Sequence, residues 1–232
     1  MRDAIIRACQ GQGILAPLAG RLDQFNHRHP WRHNDYFHGW ILRRLPARRQ
    51  RALDAGCGRG QLAALLAGQF GRVDGIDRDA EMARVAADRF AGDDRVTIRQ
   101  LPFGDVSGEY DVITMVAALH HMDLEPALRH AASLLADGGR LLVVGLARVA
   151  TPGDAAFELA SAVLNPLMGL ARHPRAAREP WAGPDVPIAD PAQTFSEISA
   201  GARRVLPGAR LRRRLFFRYT LEWTKPGGQP AA

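Results

Sequence analysis

Leu53-Asp54-Ala55-Gly56-Cys57-Gly58-Arg59-Gly60 is the stretch on which the fold of this chain turns. The arginine-rich run Arg48-Arg49-Gln50-Arg51 precedes it, and an apolar helical pattern of Leu62, Leu65 and Leu66 follows. That order reads as buried strand, glycine-rich turn and helix. Glycines at 56, 58 and 60 let the backbone take positive φ and bring its N–H groups near a ligand with no Cβ in the way. The first turn of the helix adds unpaired donors and a partial positive charge. Such a turn can hold a phosphate, a carboxylate or the amino-acid end of a nucleotide cofactor.

A dinucleotide fingerprint needs G-x-G-x-x-G. Here Gln61 stands where the third glycine belongs, and Gly60 comes one residue early. The observed G-x-G-x-G, with Asp54 two residues before the first glycine, resembles the first motif of class I S-adenosylmethionine (SAM)-dependent methyltransferases. Arg72-Val73-Asp74-Gly75-Ile76-Asp77 reads as a second strand ending in a carboxylate that can accept both ribose hydroxyls of a nucleoside. Asp77 alone would suit NAD equally, so the glycine spacing discriminates. Tyr110-Asp111-Val112-Ile113-Thr114-Met115-Val116 followed by Ala117-Ala118-Leu119-His120-His121-Met122 looks like the family's fourth strand and its L-H-H loop. Leu134-Leu135-Ala136-Asp137-Gly138-Gly139-Arg140-Leu141 resembles the family's L-x-P-G-G-x-L turn, with Asp137 in place of proline, and Trp223-Thr224-Lys225-Pro226 its seventh-strand ending.

The resemblance covers residues 51–226 and diverges between 150 and 192. It implies SAM as cofactor, with Asp54, Gly56, Cys57, Gly58, Gly60, Asp77, Arg78, Ala117 and His120 as its binding residues and Tyr36 at the methionine end. Cys57 reads as a small packed side chain within that turn. One departure stands out: no carboxylate follows Val96-Thr97-Ile98-Arg99-Gln100 until Asp105, so the adenine contact falls to backbone groups or Gln100.

Strands are expected at 51–55, 72–76, 95–99, 110–116 and 140–145, and helices at 60–68, 79–90 and 124–136. Alternation of this kind gives right-handed crossovers, with ligands bound outside the carboxyl ends of the strands. Residues 194–206 form a last amphipathic helix, and two C-terminal strands follow it. The expected architecture is α/β: a Rossmann-like, seven-stranded, mostly parallel sheet with helices on both faces and an antiparallel last strand. Residues 1–50 form an N-terminal helical lid, 51–226 the methyltransferase domain, 150–192 a proline-rich inserted substrate cap and 227–232 a frayed tail.

At 232 residues and 47% hydrophobic, the chain can bury one good core. Cys9 and Cys57 suggest no disulfide framework, and no apolar run approaches the ~20 residues that span a bilayer. The N-terminus lacks the basic-then-apolar order of a signal peptide, so a cytoplasmic monomer or homodimer with no membrane partner is expected. Net charge +7 invites a nucleic-acid partner, yet Lys225 is the only lysine among the 31 basic residues, which looks like a GC-rich coding bias. The densest cluster, Arg210, Arg212, Arg213, Arg214 and Arg218, lies beside Leu215, Phe217, Tyr219, Leu221 and Trp223, which alternate along one expected strand face. Its arginines read as a solvated sheet face, with an anionic partner as the alternative.

Methyl transfer from a sulfonium is an in-line displacement that chiefly needs alignment. A base is required only where the acceptor must lose a proton. His27, His29, His33 and His38 are interspersed with Trp31, Tyr36, Phe37 and Trp40. In a lid, Tyr36 would face the methionine end and His33 or His29 the acceptor; aromatic packing with histidines as polar tips is the plainer alternative. His121, after strand four, is the other candidate base. No cysteine or carboxylate completes a metal-ligand set there, so no metal is expected. The function implied is methyl transfer to an O or N atom of a small, secondary-metabolite-type acceptor. RNA methylation is the rival; a DNA amino-methyltransferase would carry Asn/Asp-Pro-Pro-aromatic where this chain reads Ala-Ala-Leu-His-His. A SAM-binding module without catalysis and an NAD-dependent oxidoreductase are the outsiders.

Overall fold

The computed structural model describes residues 33–154 and 190–227, with a scatter of helical positions from 156 to 170. Two compact units divide the chain. The larger comprises residues 34–150, 186–214 and 218–232, and holds the sheet. In the smaller, the Ser161 hydroxyl donates to Phe157 O (2.7 Å) and accepts from the Phe216 N–H (2.8 Å).

Seven strands form one sheet in the order β3-β2-β1-β4-β5-β7-β6. They are β1 (Arg51–Ala55), β2 (Arg72–Asp77), β3 (Val96–Gln100), β4 (Tyr110–Val116), β5 (Leu135–Gly145), β6 (Arg210–Arg214) and β7 (Arg218–Thr224). The first five run parallel, and β7 runs against both β5 and β6. Strand order reverses between β1 and β4, which places the ligand crevice at their carboxyl ends.

The two-residue period of the strands sorts neighbouring apolar residues onto opposite faces. Leu53, Ile76, Ile113 and Leu141 pack with Leu128 and Ala131 of α4 (Leu124–Leu134) and Ile198 and Ala202 of α5 (Phe195–Val205). Ala52, Val73, Val112 and Leu142 pack on the other face with Phe37, Trp40 and Ile41 of α1 (His33–Leu42) and Leu62 and Leu66 of α2 (Gln61–Ala67). A further helix, α3 (Ala80–Arg89), is capped by Asp79, whose carboxylate accepts from Met82 N. At α5 the Thr194 and Glu197 side chains form a reciprocal capping box.

The structure corrects three expectations. The fifth strand begins at Leu135, not 140, because Leu135 already pairs with Tyr110 before the register shifts at Val112. Residues 215–217 turn the chain between β6 and β7: Phe216 and Phe217 have φ of 62° and 63°, so Leu215 and Phe217 do not share the strand face of Tyr219, Leu221 and Trp223. Finally, α1 is a packing helix. Phe37 and Ile41 are 3% and 0% exposed against the sheet, so this part of the expected lid is core. Residues 1–32, with His27 and His29, lie outside the described residues, as does most of the expected cap over 150–192. Among the described residues no helix is long and apolar enough to cross a membrane.

Candidate functional site at the carboxyl edge

The glycine turn after β1 folds back upon β2. The N–H groups of Gly56 and Cys57 both donate to Ile76 O (2.8 and 2.9 Å), Gly58 N donates to Asp77 Oδ2 (2.9 Å), and Gly60 N to Cys57 O (2.9 Å). These four donors are therefore used inside the protein, which corrects the expectation that they reach for a ligand. What the turn supplies is a close approach. Gly56 has φ 77°, and a Cβ there would come within 2.5 Å of the Ala118 Cβ. Gly60 caps α2 at φ 74°, where a Cβ would press on the Phe90 ring at 2.8 Å. A Cβ on Gly58 would meet nothing within 4 Å, so space is open above it. The Cys57 thiol is packed beside Gly75, and burial raises its pKa. It stays protonated at neutral pH.

Asp77 closes β2. Its Oδ1 accepts from Asp79 N (3.0 Å) and its Oδ2 from Gly58 N, so each oxygen keeps a lone pair for a further donor. Asp54, one strand over, is 2% exposed. The Thr114 hydroxyl donates to Asp54 Oδ1 (2.8 Å), whereas Oδ2 is buried with no hydrogen bond. Burial, above all, lifts the Asp54 pKa to about 7, with the Thr114 hydroxyl and, more weakly, the Ala63 N–H opposing and the charge of Asp77 adding to the rise. Thr114 escaped the sequence reading. Its signal was a lone hydroxyl in the apolar run of β4.

At the end of β4 Ala117 adopts φ 54°, a conformation that costs a non-glycine residue about 1–3 kcal/mol. It starts the turn that carries a 3₁₀ segment, Leu119–His121. The His120 and His121 rings lie 4.0 Å apart, tilted by 38°. Burial, then His121 and Arg218, lowers the His120 pKa to about 4, and its Nδ1 is buried without a partner. Burial and Arg78 likewise lower His121, while Asp77 acts in the opposite sense. Both imidazoles are thus neutral near pH 7 and available as acceptors.

The first turn of α1 also reaches this edge. Asn34 Oδ1 accepts from Nη2 and Nε of Arg218 at the start of β7 (2.9 and 3.3 Å). Tyr36 is 39% exposed, stands edge-on to Phe37, and acts electrostatically on Arg214 at the end of β6. His33 opens the helix; its side chain is not among those described. His38 is instead buried on the packing side, its pKa lowered by burial with Asp35 opposing, so it takes no part in the edge. The structure thus gathers the glycine turn, Asp54, Asp77, Arg78, Ala117, His120 and His121 on one edge. Gln100, considered for adenine, hydrogen-bonds Arg78 O through Nε2 (3.5 Å) beside it. Among the described residues no cluster of three His, Cys, Asp or Glu could hold a metal ion. The edge between β2 and β4 is rich in acceptors, with one buried carboxylate oxygen and one buried imidazole nitrogen lacking donors. Such an edge suits a ligand that carries hydroxyl donors and positive charge.

Comparison with known proteins points to one family. The family described as a methyltransferase domain matches residues 53–141. An uncharacterized methyltransferase of Mycobacterium tuberculosis is 34% identical over 205 residues, spanning 85% of this chain and 98% of the relative. A ubiquinone biosynthesis O-methyltransferase of Xanthomonas axonopodis is 34% identical over 127 residues, 52% of each chain. Among solved structures, magnesium protoporphyrin IX methyltransferase from Synechocystis, with S-adenosylhomocysteine bound, superposes with TM-score 0.51 at 20% identity, covering 94% of this chain and 91% of that one.

Proposed function

The chain belongs to the class I SAM-dependent methyltransferases, and from that membership we propose that it methylates an O or N atom of a small acceptor at the carboxyl edge of the sheet. SAM, when bound, supplies a methyl group whose bond electrons leave with the sulfur, giving S-adenosylhomocysteine, while an acceptor lone pair forms the new bond. The protein's task is to bind, align and take up a proton.

Asp77 accepts the ribose hydroxyls through the lone pairs left by its two backbone donors. Asp54 faces the cationic amino-acid end, and its partnerless Oδ2 is the acceptor that a ligand ammonium, directly or through one water, would satisfy. Glycine at 56 and 60 keeps the turn close-packed, and the open space over Gly58 leaves room for the nucleoside. Ala117 and His120 border the reacting region, and Tyr36 stands at the α1 side of it. Gln100 and Arg78 lie where the adenine end would run.

One observation carries the assignment of chemistry: two neutral imidazoles, His120 and His121, side by side at the end of β4. A phenolic or similar hydroxyl placed against His121, the less buried of the two, would donate its proton to that ring as its oxygen takes the methyl group. His120, the more buried, packs against that ring and positions it. An acceptor that is already a neutral amine would need only the alignment. The relative named for ubiquinone biosynthesis favours an O-acceptor of modest size. The net charge of +7 favours the second reading, an RNA acceptor.

The test uses SAM labelled in its methyl group, offered with a panel of small phenols and amines in one reaction and with purified cellular RNA in another. Label in the small-molecule fraction is the expected result. Label confined to RNA would replace this reading with the second.

A further inference from the structure

A groove of about 330 Å³ opens on the sheet toward the amino ends of β1, β2 and β3, and every residue lining it is among those described. The two-residue period puts Arg51 of β1, Arg72 and Asp74 of β2, and Thr97 and Arg99 of β3 on the face of Leu53 and Ile76, opposite Val73 and Val96. Asp74 is 7% exposed. Its Oδ2 accepts three hydrogen bonds, from Nε and Nη2 of Arg51 (3.1 and 2.6 Å) and from the Tyr110 hydroxyl (2.8 Å). The Arg51 guanidinium lies 4.7 Å from the centre of the Tyr110 ring. Gly108, at φ 110°, passes so close that a Cβ there would come within 2.9 Å of Arg51 Nη1. Arg51 and Asp74 are thus fixed before any ligand arrives. Asp74 Oδ1 receives no hydrogen bond among the described residues and is not sealed from solvent, so it opens into the groove.

The other cations of the groove divide into two kinds. Both oxygens of Asp93 hold Arg95 (2.9 and 2.8 Å). Arg72 and Arg99 make no hydrogen bond or ion pair among the described residues, and Arg99 acts electrostatically on Tyr110, beneath which Asp74 lies. Asp94 is the other carboxylate that lines the groove. The groove therefore offers one buried, fixed acceptor and two spare guanidinium groups on neighbouring strands. A carboxylate is matched by a single guanidinium fork, whereas two forks from different strands suit the three terminal oxygens of a phosphoryl group. The acceptor asks the same ligand for a hydroxyl, two residues or about 7 Å along β2 from Arg72. Such a groove is at the small end of small-molecule sites, so it fits a metabolite and not a macromolecule.

We propose that this groove is a ligand site for a small phosphomonoester that carries a hydroxyl group, with Arg72 and Arg99 on the phosphoryl oxygens and Asp74 Oδ1 accepting from the hydroxyl. Five residues of β2, about 17 Å, separate Arg72 from Asp77, so this site and the carboxyl edge are filled independently.

The test is calorimetric titration of the full chain with glycerol 3-phosphate, inorganic phosphate and glycerate, at an ionic strength held constant with sodium chloride. Glycerol 3-phosphate should bind one equivalent at least about tenfold more tightly than either of the others, since only it offers both the phosphoryl group and the hydroxyl. The double variant Arg72→Gln/Arg99→Gln should lose at least about tenfold of that affinity, and Arg84→Gln, which changes an exposed arginine of α3, should lose none. S-adenosylhomocysteine should bind the double variant as it binds the wild type. Absence of saturable binding up to 10-millimolar-scale glycerol 3-phosphate, about the weakest site worth the name, would overturn the proposal. Equal affinity for glycerol 3-phosphate and inorganic phosphate would reduce the groove to a general attraction for anions and overturn it as well. Binding that survives in the double variant, or that S-adenosylhomocysteine displaces, would place the ligand elsewhere.

Discussion

Asp54 and Thr114 show how much chemistry two buried side chains can set. An aspartate that holds its proton more tightly folded than unfolded stabilises the acid side. Its contribution is fully present below the unfolded value of about 4 and is lost as pH rises through about 7. His120 acts oppositely: with its folded pKa lowered to about 4, acidification below about 6.5 costs stability. The two nearly cancel between pH 4 and 6.5, so unfolding curves will vary little there. Cofactor binding separates them. A cationic ligand end beside Asp54 expels its proton, so SAM affinity should rise as pH increases from 5 to 7, with proton release detected by calorimetry in buffers of different ionisation enthalpy. Thr114→Val, which removes the hydroxyl that favours the anion, should shift that rise to higher pH; an unshifted profile would separate Thr114 from the site. Asp77→Ala should weaken SAM binding by roughly tenfold to a hundredfold, the loss of about 1.5–3 kcal/mol of charged hydrogen bonding, and should also lower the melting temperature of the ligand-free protein, because the Gly58 and Asp79 N–H groups lose their acceptor. At this scale Asp54, Asp77 and the glycines were legible because their spacing is local. The inward direction of the turn's N–H groups was not, since it depends on where the Ile76 carbonyl lies across the sheet.

Among the elements, β1 and β4 have the limits expected from their apolar runs, because a central strand buried on both faces leaves an unbroken signal. The first helix misled for the opposite reason. Its aromatic and histidine residues are compatible with a lid or with packing, and only the sheet beneath Phe37 and Ile41 decides between them. Arg218 and Asn34 stand 184 positions apart, so no local pattern could have joined them. The helix's role fixes where truncation becomes destructive. Ile41→Ala should destabilise the protein by about 2–5 kcal/mol in urea unfolding, whereas Tyr36→Phe should leave stability within about 0.5 kcal/mol. Removing residues 1–32 should preserve a cooperative unfolding transition, and removing 1–45 should abolish it. A cooperative fold after the longer deletion would show that α1 is dispensable to the core.

At the scale of the whole molecule, several arginines among the described residues are paired with carboxylates. Arg48 meets Asp111, Arg51 meets Asp74, Arg84 meets Asp88, Arg95 meets Asp93, and Arg129 and Arg204 share Glu125. The groove at the opposite end of β1–β3 follows the same rule in part, with Asp74 and Asp94 among Arg51, Arg72, Arg95 and Arg99. RNA retention should therefore be weak and lost on raising salt from 50 to 200 mM, as expected of contacts to phosphates alone. Binding that persists at 200 mM would argue for a built RNA surface. It is at the carboxyl edge that the account stands or falls. A crystal structure of the full chain with S-adenosylhomocysteine tests it most directly. The account predicts both ribose hydroxyls on the Asp77 carboxylate, the ligand ammonium on Asp54 Oδ2 directly or through one water, and the sulfur turned toward His120. A ribose bound away from Asp77, or His120 and His121 both more than about 10 Å from the ligand and so beyond single-water reach, would contradict it.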